Sequence, residues 1–201
     1  MIKRALFLIL TATALTGMIS CGGKTVSRVE TDTVTDLSGR WNDTDSRLVA
    51  EEMVKDSLNR PWVDNFMKKR GTEPTVIVGT VVNRSHEHIN VQTFVKDLQR
   101  ELTNSGRVSF VAGKGEREEI REERLEQAQN SSDETAKGPG QEIGADYMMI
   151  GTINTILDEA DGTKAVFYQV DLEMVDMANN KKVWLGQKKI KKIIEKNRIK
   201  F

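Results

Sequence analysis

Val166, Tyr168, Val170, Leu172 and Met174 alternate with Phe167, Gln169, Asp171 and Glu173. A two-residue period sends successive side chains to opposite faces of an extended strand. A chain that carries it must bury one sheet face and wet the other. Turn signals bracket the run, with Asp161-Gly162 before it and Asn179-Asn180 after it. Tyr147–Leu157 upstream is an apolar strand, and Lys182–Lys192 downstream reads as a third, with Val183 and Leu185 facing inward. Three consecutive strands joined by tight turns predict an antiparallel meander.

The first part of the domain reads differently. Asn42, Asp43, Thr44, Asp45 and Ser46 crowd before an apolar-periodic run, and such residues cap helix N-termini by accepting orphan backbone N–H bonds. A helix is expected over Ser46–Leu58, with Val49, Met53, Val54 and Leu58 on its inner stripe. Pro61 stops it and starts a short helix through Trp62, Phe66 and Met67. Trp41 and Trp62 flank the first helix and read as core aromatics. Thr75–Val82 is apolar on both faces and β-branched, the pattern of a central strand. A polar loop follows over Asn83–Asn90. Val91, Phe94, Val95, Leu98 and Leu102 then share one helical face, and Gly106 ends that helix. Val108–Ala112 is a short strand, Glu116–Gln129 a charged helix, Ser131–Gly140 a loop and Glu142–Ala145 a helical turn. The order predicts an α+β fold, a mixed α/β sandwich. Its helices pack on a mixed sheet that ends in the three-stranded antiparallel meander.

The N-terminus adds an address. Lys3 and Arg4 precede an apolar stretch from Ala5 to Ile19 that is short for a membrane span. Cys21 ends it behind the small residue Ser20, and it is the one cysteine in the 201-residue chain. Met18-Ile19-Ser20-Cys21 resembles the lipobox of bacterial lipoproteins. That resemblance implies a signal peptide over 1–20, a diacylglycerol on the Cys21 thiol and acylation of the new amine. Several acyl chains hold a protein far more firmly than one. With Cys21 lipidated, no disulfide, thiolate nucleophile or cysteine metal site remains. Gly22 and Gly23 stand where an inner-membrane retention signal would place Asp, so outer-membrane sorting is expected. Residues 21–36 are polar and read as a tether, and 37–201 as the globular domain. About 15 extended residues reach roughly 50 Å.

Little chemistry is legible. The whole chain has 30 basic and 30 acidic side chains; without residues 1–20 the balance is 28 against 30. Neither balance has the basic excess that nucleic-acid binding needs. His86 and His88 are two apart in a Ser-His-Glu-His loop, but no third ligand stands in a metal motif. Gly113-Lys114-Gly115 lacks the spacing of a phosphate loop, and Asp158, Glu159 and Asp161 lack that of a calcium loop. No nucleophile has an evident His partner. These readings point away from an enzyme and call for no cofactor, metal or small-molecule substrate. Two charge features stand out. Residues 116–126 hold six Glu and three Arg, and residues 181–201 hold nine Lys or Arg against Glu195. The second blunts an edge strand or forms a basic patch for an acidic partner.

Asp36–Met53 (DLSGRWNDTDSRLVAEEM) and Gly144–Ile153 (GADYMMIGTI), with the closing hairpins, resemble the penicillin-binding protein activator LpoB family. The resemblance covers about residues 36 to 190. It implies a fold like the N-terminal domain of TolB and a place in the outer membrane facing the periplasm. The implied partner is a bifunctional penicillin-binding protein, which the chain would bind and activate allosterically. The tether here is short, with no proline before Pro61. A different class remains open, an accessory periplasmic subunit of an outer-membrane secretion or assembly machine. Exposure singles out the Asn83–His88 loop and the Lys181–Lys192 strand for partner contact. Their candidate residues are Arg84, His86, His88, Lys182, Trp184 and Lys188.

Overall fold

The first helix starts three residues earlier than its apolar stripe predicts, because the polar cluster before the stripe is itself the cap. In a computed structural model of the chain, α1 spans Asp43–Leu58 with Asn42 as N-cap. The Asn42 side chain accepts from Asp45 N, and the Asp45 carboxylate accepts from Asn42 N, both at 3.0 Å. Two orphan donors are thus satisfied reciprocally. The structure describes residues 25–195 except 133, 139 and 141. The export-signal and Cys21 expectations therefore lie outside the described residues. Among those residues, no helix is long and apolar enough to cross a membrane.

Helix α2 (Pro61–Arg70) follows, with Pro61 in its first turn. Strand β1 (Thr75–Arg84), helix α3 (Val91–Asn104), strand β2 (Ser109–Phe110) and helix α4 (Lys114–Asn130) come next. The closing strands are β3 (Tyr147–Ala160), β4 (Thr163–Asp176) and β5 (Lys182–Glu195). The sheet order is β2-β1-β3-β4-β5. β1 pairs parallel with β2 and β3, and β3, β4 and β5 are antiparallel. The fold is α+β, four helices with a five-stranded mixed sheet, as the alternation and helix periods require.

The core lies between α1, α2, α3 and one sheet face. Val49, Ala50 and Met53 of α1 and Phe94, Leu98 and Leu102 of α3 meet Met149, Ile153, Val166, Tyr168, Val170, Leu172 and Met174. All five inward positions predicted for β4 are buried. Helix α4 contributes no buried residue. Its polarity leaves nothing for a core to hold.

Two expectations are corrected. Leu185 does not face inward: it is 65% exposed, while Trp184 is 5% exposed and pairs with Met174 on the core face. A register shift between Met174 and Val175 adds a residue at the strand entrance and sets this phase. Glu142–Ala145 forms no helical turn. The Glu142 carboxylate instead receives both Nε and a terminal nitrogen of Arg121, each at 2.8 Å, and the segment runs irregularly into β3.

The chain joins the domain across the strand ends. Gly39 has φ +68°, and a Cβ there would lie 2.4 Å from Ile194 Cγ1. An L side chain is strained at that angle and has no room, so Gly39→Ala should cost about 1–3 kcal/mol locally. Leu37 beside it is 93% exposed. The segment should relax by peeling away, and trypsin should cut faster after Arg40 in the variant. An unchanged cleavage rate would show that Gly39 is not pinned.

Candidate functional site

Two ends of the sheet carry different chemistry. The first is the end where Val34–Trp41 arrives. Lys192 Nζ donates to Asp36 Oδ1 at 2.6 Å, Asp45 Oδ2 at 2.7 Å and the Arg40 carbonyl at 3.1 Å. Its side chain is 10% exposed and that of Asp45 is 8%. Nearby, Glu87 of the β1–α3 loop accepts from Tyr168 Oη at 2.8 Å and from Trp41 N at 3.1 Å. Burial, then this hydrogen bond, pushes the Tyr168 hydroxyl far above its usual range. The Trp41 ring meets Phe94 and Tyr168 edge-on at 6.0 and 5.6 Å, and its Nε1 donates to Ser46 Oγ at 2.8 Å. Lys192, Asp45, Glu87 and Tyr168 are all partnered from within the chain, which marks a clasp and not an open site.

Arg84, His86 and His88 are exposed at this same end. The His86 ring Nδ1 lies 2.9 Å from Thr155 Oγ1, and its backbone N donates to the same oxygen. No set of three His, Cys, Asp or Glu side chains among the described residues is placed to hold a metal. The other three candidates separate. Lys182 pairs with Glu173 at 2.8 Å at the opposite end of the sheet. Lys188 pairs with Glu52 of α1. Trp184 is in the core and donates from Nε1 to Asp56 Oδ2 at 2.8 Å, so the exposure expected for it does not hold. The six residues therefore do not form one surface.

The opposite end holds a groove of about 740 Å³ between α2, the start of β3 and the β4–β5 turn. Its floor is aromatic: Tyr147 packs edge-on against Trp62 at 4.8 Å and Phe66 at 5.7 Å. Trp62 Nε1 is spent on the Ser57 carbonyl at 2.8 Å. Lys69 and Arg70 stand on the helix side, and Asp146 and Asp176 on the strand side. Sequence reading missed this groove because it assigned Trp62 to the core, which is correct as far as it goes. The available signal was Lys68-Lys69-Arg70 in the last turn of that aromatic helix.

The helix-free sheet face is polar at its centre. Asp171 accepts from Asn154 at 3.3 Å, from Gln169 at 2.9 Å and from Gln187 at 2.8 Å. Ile156, Leu185 and Ile193 are exposed around it. Asp97 is the one described carboxyl that burial is found to push upward, and it sits on α3 beside Arg100 and outside the groove.

A comparison with curated protein sequences finds no match. The structure is similar to the LpoB C-terminal domain of Salmonella enterica at 16% identity and a TM-score of 0.39, covering 76% of this chain and 99% of that one. Similarity to the LpoB C-terminal domain of Escherichia coli is 15% identity and a TM-score of 0.38, covering 70% and 97%. The lipoprotein GNA1162 of Neisseria meningitidis gives 14% and 0.40, covering 63% and 88%. At these identities and scores the family assignment rests on a sequence match. The model of the family described as "Peptidoglycan-synthase activator LpoB" matches residues 45–190. Those residues run from the capping Asp45 of α1 to Ile190 of β5 and take in every element between, and the chain belongs to the LpoB family of peptidoglycan-synthase activators.

Proposed function

We propose that this protein is an outer-membrane lipoprotein, anchored at Cys21, that binds a bifunctional penicillin-binding protein in the periplasm and activates it. The family match over residues 45–190 carries this reading, because it spans the core and the elements that surround it. The sequence around Cys21 supports the anchor, and Gly22-Gly23 supports outer-membrane sorting. No residue of this chain is assigned a catalytic step. Activation is then a linkage effect: the domain binds the active state of the synthase more tightly than the inactive one. A tenfold shift in that equilibrium needs a difference of about 1.4 kcal/mol.

Crosslinking in envelope membranes from the source cell tests the partner. The protein is purified with its adducts, and the eluate is probed with a fluorescent penicillin. A labelled band that disappears without crosslinker is the expected result. Recovery of a different protein, with no penicillin-labelled band, would remove the synthase from the account.

A further inference from the structure

β1 has a strand on both sides for only a small part of its length. β2 pairs with Thr75 and Val76 alone, while β3 runs along the other side as far as Arg84. Val111 N donates to the Val76 carbonyl at 3.1 Å, so Val76 turns its backbone groups toward β2. Two residues on, Val78 turns its N–H and C=O the same way. A longer ladder would continue there through Gly113 N. That donor goes instead to the Glu116 carboxylate at 2.8 Å, as the chain leaves the sheet to start α4. Nothing among the described residues takes its place at Val78. The register shift between Val78 and Val81 leaves Gly79 and Thr80 unmatched on β3 as well.

This open edge is the floor of a cleft of about 380 Å³. Val95, Lys96 and Gln99 of α3 form one wall, and Gly113, Gly115 and Glu116 at the start of α4 form the other. Lys96 and Glu116 pair with each other at 2.6 Å, so the walls carry no net charge. The opposite edge of the sheet is β5, where Lys188, Lys189, Lys191 and Lys192 crowd, and lysines discourage strand pairing. The open stretch Val78–Val82 reads Val-Gly-Thr-Val-Val, uncharged, mostly β-branched and without proline. Unpaired backbone groups on such an edge are a template for another strand.

We infer that a short extended segment of the synthase, uncharged where it enters, adds to β1 in this cleft as a further strand. The inference rests on the proposed function and specifies its contact. The size of the cleft sets the occupant. A second copy would have to bury roughly 1,600 Å² in total to make a stable pair, and a recess between two helices admits no second sheet. A single strand fits. Four steps of about 3.3 Å make the open stretch roughly 13 Å long. Main-chain bonds to it supply affinity, and alternate side chains of the added strand meet Val95 or solvent. The neutral walls match an uncharged segment and would leave a buried charge unpaired.

Hydrogen–deuterium exchange resolved by residue tests this, on the full lipidated chain in detergent with and without the purified bifunctional penicillin-binding protein of the same cell. The Val78 amide should exchange at least about tenfold more slowly in the complex, while the Ile77 amide, which faces β3, should not change. Gly115→Trp brings an indole to the cleft from a position where a Cβ meets nothing within 4 Å. It should raise Kd at least about tenfold at a melting temperature no lower than wild type, and Gly115→Ala should leave Kd within about twofold. A complex in which Val78 is unprotected, or binding that Gly115→Trp leaves unchanged, would overturn strand addition while the synthase reading stands. Protection in the chain alone that grows with its concentration would give the edge to a second copy and overturn the synthase as its occupant. A wild-type chain that does not bind the synthase at all would sink both readings.

Discussion

Lys192→Ala is expected to lower the stability of the domain by about 3–5 kcal/mol, the usual cost of stripping one partner from a buried ion pair. The ammonium sits 2.7 Å from Asp45 and 2.6 Å from Asp36, and it also donates to the Arg40 carbonyl. Asp45 is nearly fully buried, so removing Lys192 leaves its carboxylate with Asn42 N alone. Asp36 is half exposed and can turn to water, which puts the effect toward the lower bound. For a domain of this size each kcal/mol is worth about 2–4 °C, so Tm should fall by roughly 6–20 °C. Lys192→Met keeps the aliphatic stem and should lose nearly as much, which separates charge from packing. A fall under about 2 °C in both would show that the cluster is only a surface pair. The pH dependence follows from the same contacts. Burial alone would lower the Lys192 pKa, but the hydrogen bonds and charges of Asp36 and Asp45 outweigh it and hold the pKa above its ordinary 10.5. The folded state therefore keeps this proton more tightly than the unfolded one. The stability it brings is full below pH 10.5 and is lost as pH rises through the higher folded value. Tyr168, also raised, by burial and by Glu87, acts in the same direction from 10.0 upward. Melts from pH 7 to 11 should thus decline on the alkaline side, more gently in Lys192→Met than in wild type.

The clasp also shows why sequence reading succeeded where it did. Periods of 2 and 3.6 report which face of an element is buried, and that information is local. Phe94, Leu98 and Leu102, and the inward row from Val166 to Met174, were therefore legible, and with them the fold class. Lys192 was read only as one member of a basic cluster. Its role depends on Asp36 and Asp45, which lie 156 and 147 residues away in the chain. The β5 phase failed for a related reason. Val183-Trp184-Leu185 is apolar at three consecutive positions, so alternation cannot choose a face. The register shift opposite Met174 and Val175 makes that choice. The groove was illegible for a third reason. Trp62 and Tyr147 bury most of their surface and yet present ring faces to an opening, so core and site are one set of residues. The six partner candidates rested on exposure, a property that patterning does not determine for long cationic side chains.

The glycine that faces Trp184 carries the second large expected effect. Gly186 pairs with Leu172, which pairs with Gly151, so a single leucine is flanked by two glycines in one row across three strands. A Cβ at Gly186 would lie 2.1 Å from Trp184 Cζ2 and 2.4 Å from Cη2. The indole lies flat along its own strand in the space a side chain would take, and its Nε1 reaches Asp56 on α1 at 2.8 Å. Valine is a good strand former, and by propensity alone Gly186→Val should stabilise β5 by up to about 1 kcal/mol. The overlap should win: the indole is forced out of the core, and the loss approaches that of truncating it, about 3–5 kcal/mol. Chemical denaturation of wild type, Gly186→Val, Trp184→Ala and the double variant separates the two contributions. Once the indole is gone, valine has room and its propensity shows, so the double variant should be no less stable than Trp184→Ala. The coupling energy between the two sites should then be about 3 kcal/mol or more. Additive losses would mean that Gly186 makes no room for the indole, and that its absent side chain serves only the backbone of the edge strand.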